Sequence, residues 1–165
     1  MLQRPTDQAD ELVKVITKLE RAGHDVVVYP DAEQAIQHRL FRQHMEQLVA
    51  AIRRDPATHP LRQKLLKTEL LPYQMDGIAF VAGAGRAILA DDMGLGKTIQ
   101  GIGVAELLAR EAGVSKVLVI CPTSLKSQWR NEVQRFSNRS VQLIVGSANE
   151  RATPYDNDAF LTICN

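Results

Sequence analysis

Eight consecutive residues limit the possible folds of this chain more than any others: Asp91-Asp92-Met93-Gly94-Leu95-Gly96-Lys97-Thr98. The apolar run Ala87-Ile88-Leu89-Ala90 leads into them, and a segment with helical spacing leads out from Ile99. Strand, glycine turn, helix is the order of a phosphate-binding loop. Glycines let backbone N–H groups close around a phosphate with no Cβ in the way. The helix that follows aims its positive end at the anion. Lys97 is placed to reach the outer phosphates, and the Thr98 hydroxyl to ligate Mg²⁺. The match to G-x-x-x-x-G-K-[ST] departs at one place, where Asp91 stands for the first glycine. An ordinary glycine turn before a lysine is the alternative, and the flanking patterns argue against it.

A chain of 165 residues can bury one substantial core, with room for an appendage. Lys and Arg total 20 and Asp and Glu 19, so net charge says nothing of a nucleic-acid partner and any basic surface must be local. Cys121 and Cys164 sit in or at the end of apolar runs without metal-ligand spacing. They read as lone buried thiols, which favours a reducing, cytoplasmic setting. No apolar run is long enough to span a bilayer, so no membrane partner is expected.

Residues 1–60 read as a small, mostly helical module. Ala9, Leu12, Val13, Val15, Ile16 and Leu19 recur at helical spacing, with a stop at Gly23. Asp25–Tyr29 reads as a short strand. Asp31 with Gln34 resembles a capping box for a second helix that runs to about Arg53. His38 and His44, six residues apart, are not an i, i+4 metal pair, and Arg39, Arg42, Arg53 and Arg54 read as a solvated face. The Pro56–Pro60 linker then leads to residues 61–165.

In that second part Leu61–Leu70 reads as a short helix, and Pro72 suits the first turn of another. Gln74 can pair with the N6 and N7 edge of adenine while the glycine loop holds phosphates. Ile99–Ala112 reads as a helix stopped by Gly113. Gly101 and Gly103 each cost it about 1 kcal/mol relative to alanine, which close packing on a sheet would offset. Val117–Cys121 is an unbroken β-branched run, as for a strand buried on both faces. A helix carrying Leu125, Trp129, Val133 and Phe136 on one face follows, with Trp129 as a core anchor. Strands are expected at Val141–Val145 and from Phe160, with a polar loop over Ser147–Asp158 between them. Alternation of this kind implies an α/β fold, a parallel sheet flanked by helices. Ligand sites in such sheets gather at the carboxyl ends of strands, where both the glycine loop and Pro122–Ser124 fall.

Together these segments resemble the Swi/Snf-related, helicase-like ATPases of helicase superfamily two. Asp91–Thr98 is similar to the family's motif I, which tolerates a non-glycine where Asp91 stands. Leu71-Pro72-Tyr73-Gln74 with Gly77 resembles its adenine-reading Q motif. Cys121-Pro122-Thr123-Ser124-Leu125 with Trp129 resembles motif Ia, and Leu161-Thr162-Ile163-Cys164-Asn165 the opening of motif Ib. The resemblance covers roughly Lys64 to Asn165. One departure is Asp92, where the family usually has glutamate.

The resemblance implies part of a RecA-like P-loop domain over 61–165. It implies ATP and Mg²⁺ as ligands, with Gln74, Asp92, Met93, Gly94, Leu95, Gly96, Lys97 and Thr98 around the nucleotide. It implies a motor that tracks along double-stranded DNA, and so adds a nucleoid-associated location as the intracellular alternative to a cytoplasmic one. Thr123, Ser124 and Lys126 carry the hydroxyl and ammonium donors that hold a DNA phosphate without reading bases. The family's Asp-Glu-x-His motif does not occur in the sequence, and its second RecA-like domain is not represented. The expectation is therefore the N-terminal piece of a larger ATPase, inactive by itself, with an incomplete sheet whose open edge is sticky. The alternatives are a nucleotide- or partner-binding module without turnover, and a small-molecule kinase, which would require neither Gln74 nor Pro122–Leu125.

Overall fold

The computed structural model describes residues 9–146 and 158–165. The polar loop expected over Ser147–Asp158 lies, but for Asp158, outside them. The chain divides into two compact units, Met1–Gln47 and Leu48–Asn165.

The first unit holds helix α1 (Ala9–Arg21) and most of α2 (Pro30–Arg54). Gly23, at φ +82°, stops α1 as expected: its N–H donates to Glu20 O and that of His24 to Leu19 O. The strand expected at Asp25–Tyr29 does not form. Val27 and Tyr29 are each 70% exposed, and β-branched residues with no neighbouring strand to pack against do not make one. Helix α2 begins one residue before the expected cap. Pro30 takes its first position, and Asp31 and Glu33 lie in the first turn, where their charge suits the helix dipole.

The second unit takes the end of α2, then α3 (Leu61–Lys64), α4 (Pro72–Ala84), α5 (Lys97–Ala112), β1 (Val117–Ile120), a 3-10 turn (Thr123–Leu125), α6 (Lys126–Phe136), β2 (Val141–Leu143) and β3 (Leu161–Cys164). The three strands form one parallel sheet in the order β1-β3-β2. Val117 and Val141 both lie level with Leu161, so β3 is the central strand. The architecture is the expected α/β one, a parallel sheet flanked by helices.

The core joins Leu65, Leu70, Met75, Ile78, Ile102, Leu107, Val133 and Leu161. It also explains the two helix glycines, with a correction: they face helices, not the sheet. A Cβ on Gly103 would lie 2.4 Å from Ile78 Cδ1 of α4, and one on Gly101 would lie 3.3 Å from the Trp129 ring of α6. Ile78 is fully buried. Truncating such a side chain costs about 3 kcal/mol, more than the propensity lost at both glycines together. Trp129 is partly buried against the core, as expected of an anchor.

Two strand expectations need correction. Ala87–Ala90, read as the strand before the glycine loop, pairs with nothing in the sheet, and Ile88 is 86% exposed. Strand β1 is not buried on both faces: it alternates, with Leu118 and Ile120 more than half exposed. It is an edge strand, and one of its faces is uncovered.

Candidate nucleotide-binding site

Helix α5 sets the site. Its C-terminus turns through Gly113 at φ +65° directly into the start of β1, so that end lies at the amino edge of the sheet. Sixteen residues of helix rise about 24 Å. Near the N-terminus of α5, a Cβ on Gly101 would lie 3.3 Å from the Trp129 ring in the first turn of α6, so this end of α5 lies near the 3-10 turn that follows β1.

Gly96 precedes α5 at φ +76° and ψ 41°, a left-handed conformation that L side chains rarely adopt. Gly94 is at φ +89°, and a Cβ there would meet open space. No side chain caps α5. Its first N–H groups are orphan donors at the positive end of a long helix. The arrangement fits a phosphate group: an uncapped helix N-terminus, an exposed glycine turn, and a cation beside it. That cation is Lys97. Its ammonium donates to Asp91 O at 2.7 Å and Asp92 O at 2.9 Å, so it folds back on the segment leading into the loop. Thr98 is half-buried in the first turn of α5, while Asp92, Met93 and Leu95 are exposed around the turn. The site thus brings Asp92 to Thr98 together as one surface.

Helix α4 brings Gln74 against the same turn. Gln74 is buried; its Oε1 accepts from Leu71 N–H at 3.0 Å, and its Nε2 lies 3.4 Å from Leu95 O. A Cβ on Gly96 would fall 2.7 Å from that Nε2. Gln74 thus faces the glycine turn. Its Leu95 contact is long and correspondingly weak, and it can be exchanged for another acceptor. Tyr73, part of the Q-motif resemblance but given no role there, donates its hydroxyl to Leu95 O at 3.1 Å.

Gln100 was missed. It is fully buried, and its Nε2 donates to Asp91 Oδ2 at 2.7 Å. The available signal was its spacing, one helical turn after Lys97 on the same face.

Thr123 and Ser124 are exposed on the 3-10 turn. Lys126 differs from the expectation of an open cation. It is 5% exposed and donates to Ile144 O at 2.7 Å, so it ties the start of α6 to the end of β2. It can reach a DNA phosphate only by releasing that carbonyl. Cys121 and Cys164 are free, buried thiols, as expected. Among the described residues no helix is long and apolar enough to cross a membrane.

The SNF2-related domain family matches residues 12–162. Over 72 residues the chain is 42% identical to the human DNA annealing helicase and endonuclease ZRANB3, covering 43% of this chain and 6% of that protein. It is 32% identical over 98 residues to the mouse DNA repair and recombination protein RAD54-like, covering 51% of this chain and 13% of that one. Among solved structures it resembles the Sulfolobus solfataricus SWI2/SNF2 ATPase core in complex with dsDNA, at 31% identity and a TM-score of 0.51. That likeness covers 61% of this chain and 22% of the other. The chain thus spans only a small part of the length of the proteins it matches. The family match takes in nearly all of the sequence, including the glycine turn, Gln74 and the turn after β1, and the chain belongs to the SNF2-related domain family.

Proposed function

We propose that residues 61–165 form the nucleotide-binding part of a DNA-dependent ATPase, a motor on double-stranded DNA. The observation that carries this is the uncapped N-terminus of α5 behind Gly94 and Gly96, with Lys97 held beside it by two carbonyl oxygens alone. These bonds are to neutral acceptors, so a phosphate oxyanion is a stronger partner for the ammonium and displaces them. The N–H groups of the first turn of α5 then meet the same phosphate, and the Thr98 hydroxyl would ligate Mg²⁺. MgATP supplies the phosphoryl group and the charge that these groups hold. Gln74 meets the adenine edge by giving up Leu95 O. Thr123 and Ser124 meet the DNA backbone, and Lys126 supports their turn through Ile144 or joins them after releasing it. A partner of this kind places the protein inside the cell, with DNA.

The test is ATP binding and hydrolysis by this chain, with and without duplex DNA. Binding that is lost in Lys97→Ala is the expected result, and equal binding by wild type and Lys97→Ala would overturn the assignment. A second reading, nucleotide binding without hydrolysis, is favoured by the engagement of the Asp91 carboxylate with Gln100. DNA-stimulated turnover by this chain would exclude it.

A further inference from the structure

A carboxamide with no exposed surface is costly where a leucine of similar size would not be. Gln100 is 0% exposed, and its Oε1 has no hydrogen-bond partner. Turning the amide over does not relieve this, because Oε1 would then face the Asp91 carboxylate, which is only an acceptor. The orientation is therefore fixed: Nε2 toward Asp91, Oε1 toward α4. On that side the space is kept open by Gly77, where an added Cβ would lie 2.1 Å from Oε1. Gln100 and Gly77 are thus two halves of one fit. What the buried amide gains for its orphaned oxygen is a short, charge-assisted bond to a carboxylate.

Asp91 is a bracket with two arms. Its side chain is held by Gln100, and its carbonyl oxygen accepts from the Lys97 ammonium at 2.7 Å. Fixing the carboxylate on α5 fixes the direction of the adjoining peptide, and so the place where the ammonium rests. We propose that Gln100 is a positioning residue for Lys97, acting through Asp91, and that Gly77 is the space that admits it. Asp91 thereby has a role that a glycine at this position could not fill, since glycine has no carboxylate to anchor. The inference concerns the loop without nucleotide. It rests on the proposed function only where it speaks of phosphate: a lysine parked by Gln100 is already beside the helix N-terminus when the anion arrives.

The experiment is competitive acylation of the lysine amines with trace acetic anhydride on the nucleotide-free chain. Lys97 is read by mass spectrometry against Lys14 and Lys18. Gln100→Leu is expected to raise the relative reactivity of Lys97 about tenfold, the factor that follows from losing one hydrogen bond to a charged group. Asp91→Ala, at a half-buried position, is expected to do the same, and a urea melt run beside it checks that the variant folds although it leaves the Gln100 amide unpaired. The double variant Gln100→Glu with Asp91→Asn reverses donor and acceptor and is expected to return Lys97 close to wild type. Unchanged Lys97 reactivity in Asp91→Ala overturns the proposal even if Gln100→Leu does not fold, and so does failure of the reversed pair to restore it. Binding of a fluorescent ATP analogue is measured in parallel. A wild-type chain that does not bind it overturns the nucleotide reading and leaves the acylation result to decide on Gln100.

Discussion

The two ends of helix α5 are built on opposite plans. At its N-terminus the glycine turn is exposed, uncapped, and held by Lys97, Tyr73 and Gln74 through bonds to backbone oxygens. At its C-terminal end Glu106, 8% exposed, takes Arg110 Nε and Arg139 Nε at 2.8 Å each. Arg110 spends its other donors on Lys64 O and Leu65 O, both at 2.8 Å. The Arg139 guanidinium also lies 4.5 Å from the centre of the Phe160 ring. One carboxylate thus joins the end of α3, helix α5 and the approaches to β2 and β3. Order is concentrated at the end away from the glycine turn, and the turn keeps contacts that a ligand can replace.

The widest separation between the ends should come from Lys97→Ala. Nucleotide binding is expected to fall about a hundredfold, near 2.7 kcal/mol. Unfolding free energy should stay within about 0.5 kcal/mol of wild type, since the lost bonds are partly exposed. Calorimetric binding beside a urea melt measures both, and a large loss of stability would mean that the turn is a structural element. Glu106→Ala is the reverse case. It takes the carboxylate from two guanidinium groups, each over a third exposed, so a loss of about 2 kcal/mol is expected. The corresponding fall in Tm is about 6 °C. ATP-analogue binding by the folded fraction should not change.

A third, smaller effect is pH-dependent. Burial pushes the Glu106 carboxyl up, but the bonds and charges of Arg139 and Arg110 outweigh it and hold the carboxyl below its ordinary value of 4.5. A carboxyl lowered in the folded state contributes stability that is fully present above 4.5 and is lost as pH falls through the folded value. Wild type should therefore lose stability on acidification faster than Glu106→Gln. Asp55, lowered chiefly by the Thr58 hydroxyl, titrates in both proteins and cancels. Parallel acid curves would show that the arginines are not held by charge. The smallest effect is expected at mid-helix. Gly101→Ala gains about 1 kcal/mol of helix propensity and must shift the Trp129 ring by tenths of an ångström, for a net change under about 0.5 kcal/mol. A larger loss in a thermal melt would show that Trp129 cannot yield.

The helices and the glycine turn were legible because their signals are local. Periodicity gave α5 and α6, and Gly94, Gly96 and Lys97 announce a turn that the backbone at φ +89° and +76° adopts. What depended on neighbours was not legible. Ala87–Ala90 and Asp25–Tyr29 have strand composition, but a strand is defined by what pairs with it. The open face of β1 reflects which elements pack over the sheet, which no property of Val117–Cys121 reveals. Lys126 looked like a surface cation by residue type. Its aliphatic stem instead lies in protein, and its ammonium finds a carbonyl 18 residues on in the sequence. The bond from Gln100 to Asp91 spans nine residues across a turn, so it exists only once the turn has folded.

The strand order has a consequence for the growing chain. Strand β3 lies between β1 and β2, yet it is made last of the three. Among the described residues neither earlier strand has a sheet partner until Leu161–Cys164 has left the ribosome. During that interval the apolar residues of β1 and β2 must wait, unpaired, for roughly 20 to 40 further residues to be synthesised, a matter of seconds at about 5–20 residues per second. Nascent chains arrested before Leu161 should therefore stay protease-sensitive across Val117–Leu143, and chains arrested well beyond Cys164 should be protected there.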